Sequence, residues 1–221
     1  MNMIHETCKP KSRRERKRLA RSQEILSVAM DLVVNEGIDA LKMPTLAQRL
    51  DCAVGALYRY FPGKAALVVG LQLQAIAEFR EGVYAALARA EETHEGAAPV
   101  PRLLRVGLLT FVDFAEGSPA SFGLIDAMLS DPRALLSDED AGRVQEVLDE
   151  ILGVFAGLFD AAVEQGVLEP GDGMLRTHVA WAALHGASHF RKRDARLPER
   201  LAARRVAEAA VDALLSGWKA N

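Results

Sequence analysis

Cysteine is almost absent from this chain, and the two present, Cys8 and Cys52, stand in separate segments with no C-x-x-C or paired spacing. A disulfide framework and a cysteine metal cage are thereby set aside, and both thiols are expected free. Aromatic residues make up only 6% of the sequence, while Ala and Leu abound. That balance favours helix over sheet. No apolar run approaches the ~18–20 residues that a membrane span needs. The opening MNMIHETCKPKSRRERKRLARSQ lacks the apolar stretch of a secretory signal, so a cytoplasmic location and no membrane partner are expected. G-x-S-x-G, the P-loop and any persuasive Cys/His pair are missing too, so the chain is expected not to be an enzyme, and no cofactor is expected.

Charge is present but unevenly placed. Residues 1–64 hold 12 Lys/Arg against 7 Asp/Glu, a net +5, whereas residues 65–221 hold 15 against 23, a net −8. A cationic head on an anionic body suits a polyanionic partner for the head alone. Much of the positive charge lies in Lys9, Lys11, Arg13, Arg14, Arg16, Lys17, Arg18 and Arg21, broken only by Glu15. Residues 1–12 are polar and aperiodic, and read as a disordered basic arm. Arg13, Arg14, Arg16, Lys17 and Arg18 extend that arm toward phosphates or the minor groove.

Helical periodicity runs through nearly everything that follows. From Ser12 to Glu36, Leu19, Leu26, Ala29, Leu32 and Val33 recur at helical spacing, and Gly37 stands where a C-terminal cap belongs. Pro44 suits the first turn of a second helix that reaches about Asp51. A third runs from Val54 to Tyr60 and stops at Pro62-Gly63. A long fourth begins at Lys64, with Leu67, Leu71, Ala75, Phe79, Val83 and Leu87 on one stripe, and ends near Glu92. Beyond the linker Glu91–Pro101, helices are expected at about 100–116, 119–129, 138–166, 172–193 and 198–218. Gly117, Asp131-Pro132, Gly166 with Pro170-Gly171, and Pro198 mark the breaks. The fold class is all-α: a three-helix helix-turn-helix domain over 13–66 and a helical domain over 67–221.

A short second helix bracing a third is the layout that places a recognition helix in the major groove of double-stranded DNA. Such a helix needs small groups facing the base edges and donors at the rim. Val54, Gly55 and Ala56 allow close approach, and Arg59 is suited to a bidentate contact with guanine. Tyr58, Tyr60, Lys64, Lys42 and Thr45 complete the expected DNA-contacting set. Leu57 and Phe61 are read as core.

The order Gly37, Leu46-Ala47-Gln48-Arg49-Leu50, Gly55-Ala56-Leu57-Tyr58-Arg59-Tyr60-Phe61 and Lys64 resembles the TetR/AcrR family of bacterial regulators. Further on, Trp181-Ala182-Ala183-Leu184-His185-Gly186 is similar to the W-x-x-x-H-G signature of one subgroup of their effector domains. The resemblance implies a homodimer joined through its last two helices, and a second domain that binds a small effector. It implies a repressor released from its operator by an apolar or amphipathic ligand. Departures from the family pattern are Lys42 in place of a Thr or Ser N-cap, Pro44 in helix two, and Asp51-Cys52-Ala53 in place of Gly-Val-Ser at the turn. Val54 and Ala56 stand where polar or basic residues are usual. Phe79, Phe114, Phe155, Trp181 and His185 are the residues expected at the ligand wall. Two other readings stay open. One is a ligand-binding helical protein whose DNA recognition has decayed. The other is a metal-binding protein using His178, His185 and His189, which share a helix face. No carboxylate accompanies those histidines along their helix, and no metal is expected.

Overall fold

The computed structural model describes residues 12–130 and 136–220, the side chains of 127–130 excepted. The arm over 1–11 with Cys8, and the Asp131-Pro132 break, lie outside the described residues. Those described form nine α-helices and three short 3-10 turns, with no strand among them. The chain divides into two compact units, the first ending at Leu71 and the second beginning at Gln72.

In the first unit α1 covers Arg13–Glu36, a 3-10 turn Ile38–Ala40, α2 Met43–Arg49 and α3 Val54–Tyr58; α4, Lys64–Glu92, begins there and ends in the second unit. Ser12 opens α1 with a capping box: its hydroxyl accepts from the Glu15 N–H at 3.2 Å, and its own N–H donates to Glu15 Oε2 at 2.7 Å. Gly37 closes the helix at φ +83°, a left-handed value that any side chain would strain, and its N–H reaches Val33 O at 2.9 Å. Ile25, Ala29 and Leu32 of α1 pack with Leu41, Met43, Leu46, Ala47, Leu57, Phe61 and Leu67 in a small core. Full burial of each large aliphatic there is worth about 1.5–3 kcal/mol.

Two expectations need correcting here. Leu19, expected on the inward stripe of α1, is 42% exposed. The first two turns of the helix run past the core and bury nothing. Arg13, Arg14, Arg16, Lys17 and Arg18 occupy the capped first turns of α1, which starts where the expected helix from Ser12 to Glu36 does. Helices two and three are also shorter than their periodicity suggests, since Leu50 caps the one and Arg59 the other.

The second unit contains most of α4, then α5 Val100–Gly117, α6 Pro119–Ser130, α7 Asp138–Glu164, α8 Gly173–His189 and α9 Ala203–Gly217, with 3-10 turns Phe190–Arg196 and Glu199–Leu201 between the last two. Ser137 caps α7 through the Asp140 N–H at 3.2 Å, and Asp138, Glu139 and Asp140 complement the positive end of its dipole. Asp172 caps α8 through the Leu175 N–H at 3.0 Å. Where α8 starts, a Cβ on Gly173 would lie 2.3 Å from Asp160 Oδ1 and 2.6 Å from the Ala156 carbonyl oxygen. Only a residue without a side chain lets α8 come this close to α7.

Salt links tie α5 to α9. Arg105 Nε donates to Asp212 Oδ1 at 2.7 Å, and that hydrogen bond holds the Asp212 carboxyl below its ordinary value. Arg204 reaches Glu116 and Asp113 together, and those two bonds, Glu116 foremost, raise its guanidinium above the usual arginine value. The chain end is tied back as well: the Glu169 N–H donates to Trp218 O at 2.8 Å, and the Trp218 ring meets Phe159 edge-on at 5.5 Å.

Candidate nucleic-acid interface and ligand cavity

Between α2 and α3 the chain turns through Asp51, the only described residue besides glycines with positive φ, at 47°. Asp tolerates that left-handed conformation better than most residues, because its short carboxylate satisfies backbone donors locally. The turn seats Leu57 in the core at 1% exposure and leaves Tyr58 on the surface at 51%. Arg59 is exposed, Tyr60 half-buried, and Gly55 has open space around it. Val54 and Ala56 are partly buried, so this face presents few hydrogen-bonding side chains. Lys42 is exposed at the N-cap of α2 without capping it, and Thr45 is half-buried one turn on.

Lys64 donates one of the three N–H groups of its Nζ to the Ile38 carbonyl at 2.8 Å in a partly buried setting, bracing the start of α4 against the 3-10 turn. Two further cations are engaged locally: Arg49 is paired with Glu36, and Arg21 with Glu24 at 2.7 Å, whose hydrogen bond raises the Arg21 guanidinium above its ordinary value. The first turns of α1 supply what these do not. Arg13, Arg14, Lys17 and Arg18 line one open groove together with Arg59 and Tyr60, with Glu15 the single acid among them. Sequence alone separates these groups by more than forty residues, and the fold makes them neighbours. Arg16, also exposed, is not among the residues lining the groove.

The second unit holds a narrow apolar cleft with free space of only about 20 Å³. Its walls come from α4 (Phe79), α5 (Leu108, Phe111), α7 (Leu148, Leu152, Phe155) and α8 (Thr177, Trp181, Leu184), with Ile125 from α6. Thr177 is the one hydrogen-bonding side chain besides the Trp181 indole, and its hydroxyl donates to Gly173 O at 2.8 Å. Of the five residues expected at a ligand wall, Phe79, Phe155 and Trp181 line this cavity. Phe114 instead packs against Phe79 with ring centroids 5.3 Å apart, and His185 stands behind Phe111 at 5.6 Å and Trp181 at 6.1 Å. Leu148, Leu152 and Thr177 escape the sequence reading, though the regular stripe of α7 carries Val144 and Ile151 one turn away. His178 turns its Nδ1 to the Met174 carbonyl at 2.9 Å, whereas His185 and His189 both meet Asp126 of α6.

On α8, Leu175 is 63% and Val179 39% exposed, and Ala182 and Gly186 continue the same face. Spacings of four, three and four make this one stripe, and a Cβ at Gly186 would meet nothing within 4 Å. Ala183 and Ala210, small residues of the last two helices, are both half-buried, and Ala187 and Ser188 are buried within the chain.

Comparison with known proteins agrees with this architecture. Residues 25–71 match the family of bacterial regulatory proteins, tetR family. Over 49 residues the chain is 45% identical to the HTH-type transcriptional repressor KstR of Rhodococcus jostii (strain RHA1), which is 22% of this chain and 23% of that repressor. The chain thus matches less than a quarter of the length of its curated relatives. Across most of its length it is similar in structure to a TetR family transcriptional regulator, PfmR, from Thermus thermophilus, with a TM-score of 0.63 at 24% identity, covering 87% of this chain and 97% of that one. It is also similar to AibR, solved in complex with isovaleryl coenzyme A and operator DNA, with a TM-score of 0.64 at 18% identity over 87% and 97% of the two chains. Residues 25–71 thus match the tetR family of bacterial regulatory proteins, and the helical body after them shares the fold of such regulators.

Proposed function

We propose that this protein is a homodimeric transcriptional repressor that binds an operator in double-stranded DNA and leaves it when a small apolar or amphipathic ligand enters the second unit. The observation that carries the reading is the groove where Arg13, Arg14, Lys17 and Arg18 of α1 join Arg59 and Tyr60 beside the recognition helix. Phosphates fix register and supply affinity, while base edges supply selectivity. Here the cations are many and the base-facing donors few, so Arg59 carries most of the direct readout. The apolar cleft supports the sensing half through the chemistry of its walls, almost all apolar, which suits a small hydrophobic molecule that parts them on entering. Phe79 of its wall and Lys64 of the reader stand on the same helix, α4, which gives a ligand a mechanical route to the reader. The exposed stripe Leu175, Val179, Ala182 and Gly186 is the surface we assign to a second copy, paired about a two-fold axis. No described helix is long and apolar enough to cross a membrane, in keeping with a regulator working in the cytoplasm.

Selection of bound duplexes from a random pool tests this reading. A pseudo-palindromic motif with half-sites about 34–36 Å apart, or a multiple of that, is the expected result. Arg59→Ala should then relax preference at one base pair per half-site by about 1–3 kcal/mol. Recovery of sequences without a shared motif would favour the reading in which DNA recognition has decayed, to which Val54, Ala56 and Pro44 lend support.

A further inference from the structure

Helices α6 and α8 bring three metal-binding groups to one point beside the cavity. His185 Nε2 lies 2.6 Å, and His189 Nε2 2.9 Å, from the same Asp126 Oδ1. Ligand atoms of all three residues lie within 4.8 Å of one another. The histidines are four apart on α8 and so project from one face a turn apart, while Asp126 arrives from 59 positions upstream of His185. The missing carboxylate that argued against a metal in the sequence is thus supplied by another helix.

We propose that Asp126, His185 and His189 form a binding site for a divalent first-row transition ion, zinc foremost. Two imidazole nitrogens and one carboxylate suit zinc and its neighbours, whereas magnesium and calcium call for oxygen ligands throughout. A tetrahedral ion with bonds of ~2.1 Å sets its ligand atoms ~3.4 Å apart. The Nε2–Oδ1 separations must therefore widen by only ~0.5–0.8 Å, a small torsional shift. The side chains concerned have room for it, since His189 is 49% and Asp126 23% exposed. Without an ion, two ring N–H groups share one carboxylate oxygen. On binding, the ion takes both Nε2 lone pairs, each neutral ring then carrying its one proton on Nδ1, and the fourth position stays open to water or a ligand.

One detail sets the strength. His185 Nδ1 is buried with no hydrogen-bond partner in the protein. Metal-bound imidazoles ordinarily donate that second N–H to an acceptor, and its loss weakens binding by about 10–100-fold. The site is consequently one of moderate affinity, filled and emptied as ion supply changes. Because the His185 ring packs on Phe111 and Trp181 of the cavity wall, a bound ion would pin α6 to α8 at the edge of the cavity. Metal binding of this kind stands or falls independently of DNA recognition.

Full-length, chelator-stripped protein titrated with zinc by calorimetry, and with cobalt followed by visible absorption, tests the site. One ion per chain is expected, with the d–d bands of a four-coordinate cobalt centre and a raised melting temperature. Asp126→Asn and His189→Gln should each weaken binding at least tenfold and abolish the thermal shift. His178→Gln should change neither. Circular dichroism checks that each variant is folded, and His189, being half-exposed, is the safer of the two positions. Failure to bind zinc, undiminished binding by both ligand variants, or equal affinity for calcium would each overturn the assignment.

Discussion

Replacing Arg13, Arg14, Lys17 and Arg18 together by Gln probes the basic groove without touching the core, because every one of them lies on turns of α1 that bury nothing. Gln is close to Arg and Lys in helix propensity, and Ser12 and Glu15 still close the capping box. If each cation neutralises one phosphate, each contributes about 0.9 to the slope of log affinity against log salt, so the variant should lose up to ~3.6 per chain. Over a fourfold rise, from about 50 to 200 mM salt, that difference amounts to ~150-fold in the affinity the wild type loses and the variant keeps. Folding should move the other way. Cations in the first turn oppose the helix dipole, each by about 0.3–1 kcal/mol at low ionic strength, so removing them should leave α1 slightly more stable. Fluorescence anisotropy on a random-sequence duplex across a salt series, beside thermal melts of both proteins, measures the two effects. A variant whose salt slope matches the wild type would refute the argument: these residues would then be a solvated helix end and no part of an interface.

Asp51→Gly should relieve the left-handed residue of the turn, yet glycine also gains freedom in the unfolded chain, so the net change should be a stabilisation within about 1 kcal/mol. Asp51→Val, with a branched side chain at φ +47°, should instead destabilise by more than about 1 kcal/mol, read from denaturant unfolding. Val179→Asp would place an unpaired charge on the exposed α8 stripe; sedimentation should show monomers, and a variant that stays a tight dimer would move the interface elsewhere.

Local rules make the helices legible. Gly37 stops α1, Pro62-Gly63 precedes α4, and the break at Gly166 gives the end of α7 to within two residues. Chain-distant relations are not legible. Nothing in the order of residues says that Lys64 ends on the Ile38 carbonyl, because only the packing of the 3-10 turn against the start of α4 sets that distance. Basic residues 13–18 belong to α1 although their turns bury nothing, since hydrophobic periodicity reports burial, not helix. Ser12 and Glu15, three apart, carry the missing signal, since a capping box marks a helix start even where no apolar face follows. Asp126 likewise escapes a search along α8, for a carboxylate can come to a histidine pair from any helix packed beside it.

Gly173 constrains how this protein can vary over time. With the Asp160 carboxylate and the Ala156 carbonyl already inside the space of a Cβ, even alanine would pry the start of α8 from α7, and both helices wall the cavity. Lining residues such as Leu148 or Leu152 can be exchanged for others of similar volume without moving either helix. Gly153 and Gly157, facing open space, can drift freely. Orthologues with very different pockets should therefore share a glycine at this place, the fixed pivot around which specificity diversifies.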